Sequence, residues 1–382
     1  MVTFYLILTR HALDAPKKGQ ASPHRVIIYL RIKTLGCLLR VREERLVIKS
    51  NGRGKMKTDD FKSSQQTRAP LHQPVLLGEI MQVFELCKIT PHTYLDGTFG
   101  RGGHLRAVLD RYPELKAYAM DCDLEAISYA KQNFAAEISS DRLHLAHSNY
   151  ASFSETRETS GWPESFDLAL LDLGVSSPQL DEASRGFSFY LDGPLDMRMD
   201  QSQELTAEEV LNDWEEEDLF KVFTQLGEVR RPNRVMRAVL HDRMTKRFQT
   251  TRELASLIER VDGWHKKGVH PATQYFMGLR LAVNNELGGL REVLPKLMEA
   301  LSPHGLLAVL TFHSLEDRIV KNIFKEEKKL GRLVNKKVIT ATRDEQKENS
   351  RSRSAKLRVF ERIADEVSTE STSEYSNEAS EY

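Results

Sequence analysis

The 382-residue chain has few cysteines, no long apolar run and no net charge. Its three cysteines, Cys37, Cys87 and Cys122, are widely spaced. That excludes a disulfide framework and a cysteine-rich zinc site, and it suits a reducing, cytoplasmic setting. No stretch approaches the roughly 18–20 apolar residues of a membrane span. Met1–Leu8 is apolar but short and has no basic leader, so it does not read as a secretory signal. Lys+Arg and Asp+Glu are equal at 55 each, so bulk charge names no partner. The charge is uneven, however. Residues 1–55 carry twelve basic against three acidic residues, and 361–382 carry one against seven. Local patches therefore decide what the chain can bind.

Residues 1–55 show no sustained apolar period. Gly52-Arg53-Gly54-Lys55 can be written in purine-rich codons, in the manner of a ribosome-binding site before Met56. The expectation is that Met56 is the start and that 1–55 is translated upstream sequence. A basic RNA-binding arm is an alternative, as is an organelle presequence, which Glu43 and Glu44 fit badly. From Pro74 the pattern becomes regular. Val75–Leu86 has apolar residues at helical spacing. Strand-like Thr93–Asp96, Lys116–Asp121, Leu143–His147 and Phe166–Leu173 then alternate with helices from about His104 and Leu124. That alternation predicts an α/β fold on a parallel sheet. Residues 205–260 read as helical, with capping boxes at Thr206–Glu209 and Thr250–Glu253. Strands are expected again at Leu306–Phe312, Lys336–Ala341 and Lys356–Ile363. The division is thus an extension (1–55), a first sheet portion (56–180), a helical insertion (181–270), a second sheet portion (271–364) and a disordered acidic tail (365–382).

The first strand ends in Asp96-Gly97-Thr98-Phe99-Gly100-Arg101-Gly102-Gly103-His104. Glycines between a strand and a helix let the backbone turn tightly and approach a ligand. The second strand ends at Asp121, where an acid can accept both hydroxyls of a ribose. The pair reads as a nucleoside-cofactor site on a Rossmann-like sheet; the competing reading is a tight turn with a helix-capping Asp. The spacing fits neither G-x-G-x-x-G nor G-x-x-x-x-G-K-[ST]. Asp96 at the head of the loop would repel a pyrophosphate and favour a cationic or zwitterionic ligand. S-adenosylmethionine has that charge. Tyr150, after the third strand, either lies against its adenine or is an ordinary surface tyrosine.

Four ordered blocks resemble one family: DGTFGRGGH (96–104), DLGVSSPQL (172–180), RGFSFYLDGPLDMRM (185–199) and FHSLEDRIV (312–320). They are similar to the bacterial ribosomal small-subunit RNA methyltransferase H family, also called MraW, over about His72–Arg362. The resemblance implies a Rossmann-like S-adenosylmethionine-dependent methyltransferase sheet with an inserted all-helical domain. It implies methylation of the N4 amine of a cytidine in 16S ribosomal RNA, within the small ribosomal subunit. It places Gly102, Gly103 and His104 at the cofactor's amino-acid end, Asp121 at the ribose, Tyr150 at the adenine where the family often has Phe, and Asp172 and Gln179 at the end of the fourth strand. No metal or membrane is implied, and the oligomeric state, monomer or homodimer, stays open.

The cytosine amine is a weak nucleophile because its lone pair is delocalised into the ring. Acceptors that hold the amine hydrogens would turn that pair toward the methyl group, so rate would come from position and fixed dipoles. Asp172 is the candidate acceptor. The Pro-Pro-aromatic continuation common in amino-methyltransferases is absent from Asp172-Leu173-Gly174-Val175. His313 either contacts the base and relays a proton or is a structural hydrogen-bonder. Glu316, Asp317 and Arg318 read as a capping cluster. Residues 229–247 hold seven Lys and Arg, among them Arg230, Arg234, Arg237 and Arg243, against Asp242 alone. Such a stripe either holds RNA phosphates or is a solvated helix face. Arg351 and Arg353 offer a second basic contact. A methyltransferase acting on DNA or another RNA, and a non-catalytic assembly factor on a cofactor fold, are the competing functions.

Overall fold

The computed structural model describes residues 74–264 and 269–364, and the backbone of two short strands, Thr3–Ile7 and Tyr29–Lys33. Those two strands pair antiparallel, Thr3 opposite Lys33, inside a unit spanning Met1–Ala69. The remainder of the expected extension, and the tail 365–382, lie outside the described residues.

The second unit, Pro70–Tyr382, is built on a seven-stranded sheet. Its strands are β1 (Thr93–Asp96), β2 (Lys116–Asp121), β3 (Leu143–His147), β4 (Phe166–Asp172), β5 (Leu301–Thr311), β6 (Gly331–Leu333) and β7 (Lys356–Arg362). They lie in the order β3-β2-β1-β4-β5-β7-β6. The first five are parallel; β7 runs antiparallel to both β5 and β6. Helices bury both faces, so the strands read as continuous apolar runs rather than alternations. Along β4, Leu168 and Leu170 enter one core with α1 (Leu77–Phe84), α2 (Gly103–Arg111) and α3 (Leu124–Asn133). Ala169 and Leu171 point the other way, into a core with Leu290, Val293, Leu294, Val320 and Phe324. The fold is the Rossmann-like methyltransferase sheet that the sequence implies.

Between β4 and β5 the chain is helical. It forms α4 (Ser177–Asp181), α5 (Ala207–Asp213), α6 (Asn233–Arg243), α7 (Thr251–Asp262), α8 (Thr273–Val283) and α9 (Glu286–Glu299). A third apolar cluster, from Phe187 to Val283, joins α5 to α8; it includes Tyr275, Phe276 and Leu279, past residue 270. The two capping boxes form as expected: Glu209 and Glu253 accept the amides of Thr206 and Thr250, whose hydroxyls accept in return. A further helix, α10 (Ser314–Glu326), follows β5.

One expected strand is absent. Lys336–Ala341 makes only an isolated bridge, Ile339 to Leu357, and β6 supplies the edge instead. The cause is Asn335. Its amide donates to the Leu357 carbonyl at 2.9 Å and accepts the Val359 N–H at 2.8 Å, standing in for a backbone peptide and ending the ladder.

Candidate functional site

Strand order reverses at β1, which has β2 on one side and β4 on the other. Ligands of open α/β sheets collect at the carboxyl ends of strands at such a switch point. Here those ends carry Asp96, Asp121 and Asp172. The glycine turn is pinned between them. The Phe99 N–H donates to Met120, the Gly100 N–H donates to the Asp121 carboxylate at 2.7 Å, and the Asp172 N–H donates to the Thr98 hydroxyl at 2.7 Å. Gly102 caps α2 at φ 67°, a left-handed conformation, and a Cβ there would lie 2.6 Å from the Phe99 and Phe134 rings. Gly103 admits Pro74, which a Cβ would meet at 2.4 Å. Both glycines are therefore needed to form the turn as well as to line it.

The three carboxyl groups share an unusual electrostatic state. Burial and the neighbouring Asp121 charge push Asp96, 2% exposed, up to about 7, against the amide of Thr98 and the hydroxyl of Tyr94. Burial pushes Asp121 up to about 6, even though it accepts the Gly100 and Asp123 amides. Burial, then the charges of Asp96 and Glu316, push Asp172 up to about 8. Among the described residues no Lys or Arg pairs with any of them. His104 lies nearest: its Nδ1 is 3.6 Å from Asp172 Oδ2, too far for a hydrogen bond. Its Nε2 lies 3.0 Å from the Val75 carbonyl, which can only accept, so Nε2 carries the proton. Burial lowers this imidazole to about 4 and keeps it neutral. A cluster of acids, one buried and two partly buried, with no Lys or Arg partner among the described residues fits a ligand that brings positive charge.

Tyr150 follows β3 and is partly buried; its hydroxyl donates to the Glu286 carbonyl at 3.2 Å. That end of the ring is fixed by α9. Gln179 is committed differently from the expectation. It is buried, its Oε1 accepts the Ser176 N–H at 2.9 Å, and its Nε2 donates to Asp123 at 2.9 Å. Arg185, 2% exposed, donates to the same Asp123 oxygen at 2.8 Å and to the carbonyls of Arg198 and Met199. Gln179 thus braces Asp123, two residues beyond Asp121. Asp123 and Arg185 were not singled out in the sequence, since nothing in Asp-Cys-Asp marks the second acid as the anchor of a buried arginine.

Beside Asp172, the turn after β5 brings His313 to the same edge. β4 and β5 pair with Asp172 opposite Leu310, and Gly174 packs on the Phe312 ring. Glu316 is a cap, as the sequence suggests: its Oε2 accepts the N–H groups of Phe312 and His313. It is also buried, with Oε1 at 3.0 Å from His313 Nε2. Behind it Arg280 and Glu286 form a bidentate pair, 2.8 and 3.0 Å. The signal for that pair was a lone Arg inside the apolar run Phe276–Val283, six residues before Glu286.

The arginine stripe divides. Arg230, Arg231, Arg234 and Arg237 are exposed, and among the described residues none has an acidic partner; Arg237 donates only to the Asn233 carbonyl of its own helix. Arg243 is engaged within the fold. Its guanidinium donates to the Leu211 and Trp214 carbonyls at 3.0 and 2.9 Å, closing the end of α5. Lys246 and Arg247 are paired with Glu253 and Asp213. Arg351 donates to the Ser177 hydroxyl and sits 3.8 Å from Asp181, so it ties the last turn to α4; Arg353 remains exposed. The segment before α6 reaches the His313 turn, where the Ser314 hydroxyl donates to Glu228. Among the described residues no group of acids, histidines and cysteines could hold a metal, and no helix is long and apolar enough to cross a membrane.

Residues 69–363 match the model of the MraW methylase family. Three curated relatives carry the name ribosomal RNA small subunit methyltransferase H. The protein from Bdellovibrio bacteriovorus is 56% identical over 302 residues, covering 79% of this chain and 90% of its own. That from Synechocystis is 44% identical over 275 residues, with 71% and 87% covered. That from Legionella pneumophila strain Corby is 40% identical over 310 residues, with 77% and 99% covered.

Proposed function

The chain belongs to the MraW methylase family, and from that premise we propose that it methylates the N4 amine of a cytidine in 16S ribosomal RNA of the small ribosomal subunit, using S-adenosylmethionine. The observation that carries the reading is the set of three acids at the switch point, Asp96 buried and Asp121 and Asp172 partly buried, with no Lys or Arg among the described residues to pair them. When bound, S-adenosylmethionine supplies an electrophilic methyl carbon on a cationic sulfonium, together with a ribose, an adenine and an amino-acid group. Asp121 still has acceptor lone pairs for two ribose hydroxyls beyond the two amides it holds. Gly102, Gly103 and His104 line the turn where the amino-acid group would sit, and Tyr150 offers a ring to the adenine. Asp172 serves as counter-charge and as acceptor for the amine hydrogens. His313 stands beside it to take the proton that the amine loses.

The target base must leave its stack to reach this edge. Arg230, Arg234 and Arg237 are the open cations for the flanking phosphates, with Arg353 and the partly engaged Arg351 as a second contact. Radiolabel transfer tests the reading, with small subunits, naked ribosomal RNA and DNA offered in parallel, followed by digestion to nucleosides. Label in N4-methylcytidine from the small-subunit RNA is the expected result. Label only in DNA, label in another nucleoside, or no transfer at all would overturn it.

A further inference from the structure

A groove beside α6 shares no residue with the carboxyl edge. Between α5 and α6 the chain forms a short helix, Glu216–Lys221. Leu219 from this helix, with Val222 and Phe223 just after it, enters the core of the helical region. Phe220 stays outside that core and is 40% exposed. One exposed apolar side chain needs no explanation by itself. Here, however, Phe220 lines a cavity of about 690 Å³ between the short helix and α6, together with Glu216, Glu217, Asn233, Met236 and Arg237. That volume lies in the range of about 300–1,000 Å³ typical of small-molecule sites.

The polar groups of the groove are largely uncommitted. Glu217 pairs with Lys221 at 3.2 Å, but Glu216 is exposed and has no hydrogen-bond or ion-pair partner among the described residues. Asn233 lends only its backbone carbonyl, to Arg237 Nε at 3.3 Å, and its carboxamide is open. Arg237 belongs both to the groove and to the arginine stripe, and Arg234 is its neighbour three residues back on the same helix. The groove thus combines an aromatic face, a free carboxylate and a free carboxamide, with open cations at its rim. A protein partner would need a broader apolar face, since interface cores are depleted of charge. Phe220 is the only large exposed apolar side chain among these lining residues.

Single-stranded RNA matches the set. An unpaired base stacks on an aromatic ring and is read along its Watson–Crick edge, while the adjoining phosphates meet arginines. The carboxylate selects the base, because it only accepts. Guanine offers it two adjacent donors, N1–H and the N2 amine. Adenine and cytosine each offer one amine beside a ring-nitrogen lone pair, and uracil offers one N–H between two carbonyls. Each of those three sets a lone pair against the carboxylate. The Asn233 carboxamide supplies a donor for guanine O6.

We propose that this groove is a nucleobase site. It holds one unpaired guanine of the ribosomal RNA, stacked on Phe220 with its Watson–Crick edge on Glu216, while Arg234 and Arg237 hold phosphates beside it. The proposal rests on the RNA-substrate reading above and deepens it: phosphate contacts position a nucleic acid, whereas base contacts read its sequence.

The test uses the full chain with two probes: small subunits, and short uridine oligomers carrying a single central guanine, adenine, cytosine or uracil. The parent should bind the guanine oligomer most tightly. Phe220→Ala should weaken small-subunit binding by about tenfold or more, the usual loss of a stacked base, with an unchanged salt slope because no phosphate contact is lost. Phe220→Tyr keeps the ring and should bind like the parent. Glu216→Gln turns one acceptor into a donor, so the preference for guanine should disappear, while the other three oligomers hold or tighten slightly as a negative charge goes. Both side chains are exposed, so melting temperature and cofactor affinity should stay at parental values. The inference is overturned if F220A binds small subunits as tightly as the parent, if F220Y loses as much affinity as F220A, if the parent shows no preference for guanine, or if E216Q keeps that preference. It is also overturned if F220A changes the sedimentation of the free protein, which would make the groove a contact between copies of this chain. A parent that binds neither small subunits nor any of the oligomers overturns the RNA-substrate reading itself.

Discussion

The carboxyl edge of the sheet and the outer face of α6 hold charge in opposite ways. At the edge, Asp96, Asp121 and Asp172 are gathered in a poorly solvated turn, and no Lys or Arg among the described residues meets them. On α6 and the turn before it, Arg230, Arg231, Arg234 and Arg237 stand in solvent without acidic partners among the described residues. Buried charges are weakly screened and respond to protons, whereas exposed ones respond to salt. The edge is therefore expected to bind its ligand in a pH-dependent, salt-tolerant way. The α6 face is expected to bind in a salt-dependent, pH-tolerant way. Each substitution below tests one side of that contrast.

The largest effect is expected from Asp172→Asn. Asn keeps the shape and much of the hydrogen bonding, so the fold should persist. The single-turnover rate should drop by about 10²–10³, the usual loss when one preorganised electrostatic group is removed, and by more than the weaker cofactor binding explains. Saturating cofactor that restores the full rate would make Asp172 a binding residue only. The same variant should be more stable than its parent at alkaline pH. The folded-state value near 8 lies above the ordinary carboxyl value. The stability this group contributes is then complete at acid pH and is lost as pH rises through about 8. Asn has no charge to lose, so the gap in melting temperature should be small at pH 5 and widest near pH 9.

Asp121→Ala is next. If Asp121 accepts the ribose hydroxyls as proposed, its removal costs about 1.5–3 kcal/mol, so calorimetry should show cofactor affinity roughly 10–100-fold lower at any salt concentration. In the parent, cofactor binding should release protons near pH 7, because a cationic ligand lowers the raised carboxyls. Binding heats that do not depend on the ionisation enthalpy of the buffer would remove the cationic-ligand argument.

On the other side, replacing Arg234 and Arg237 together by Gln should leave cofactor binding untouched and weaken small-subunit binding. Each lost phosphate contact lowers the slope of log affinity against log salt by about one, so the pair should lower it by about two. An unchanged slope would return α6 to a solvated surface.

Much of the edge was legible in the chain, because its positions are fixed by local patterns: a strand that ends in Asp, a glycine turn, a second strand that ends in Asp. The alternation of strands with helices, the glycine turn and the capping boxes at Thr206 and Thr250 follow from those patterns. What was not legible depends on partners outside the local element. Asn335 ends a ladder that the apolar content of 336–341 suggested, by bonding to Leu357 and Val359. Gln179 bonds to Asp123, 56 residues away along the chain, and Arg185 joins it there from 62 residues away. The Arg280–Glu286 pair lies across the break at Asn284–Asn285, where the left-handed φ of 46° at Asn285 separates α8 from α9. Charge patterning along one helix carries no information of that kind.

Arg243 provides the smallest and most discriminating test, because by sequence it belongs with Arg234 and Arg237 and by structure it does not. It is only half exposed, and one guanidinium nitrogen closes the carbonyls of Leu211 and Trp214 at the end of α5. Those carbonyls are helix-terminal acceptors that lack partners within the helix. A charged donor in such a place contributes about 1.5–3 kcal/mol when buried, and solvent around a half-exposed group brings that toward about 1 kcal/mol. Arg243→Gln should therefore lower the denaturant midpoint slightly, with an unchanged m-value, and leave the salt slope of RNA binding as it was. The Arg234/Arg237 variant should do the reverse, lowering the slope without moving the midpoint. If instead Arg243→Gln lowers the slope by about one, its guanidinium leaves the two carbonyls to meet a phosphate, and the division of the stripe into braces and open cations fails at that residue.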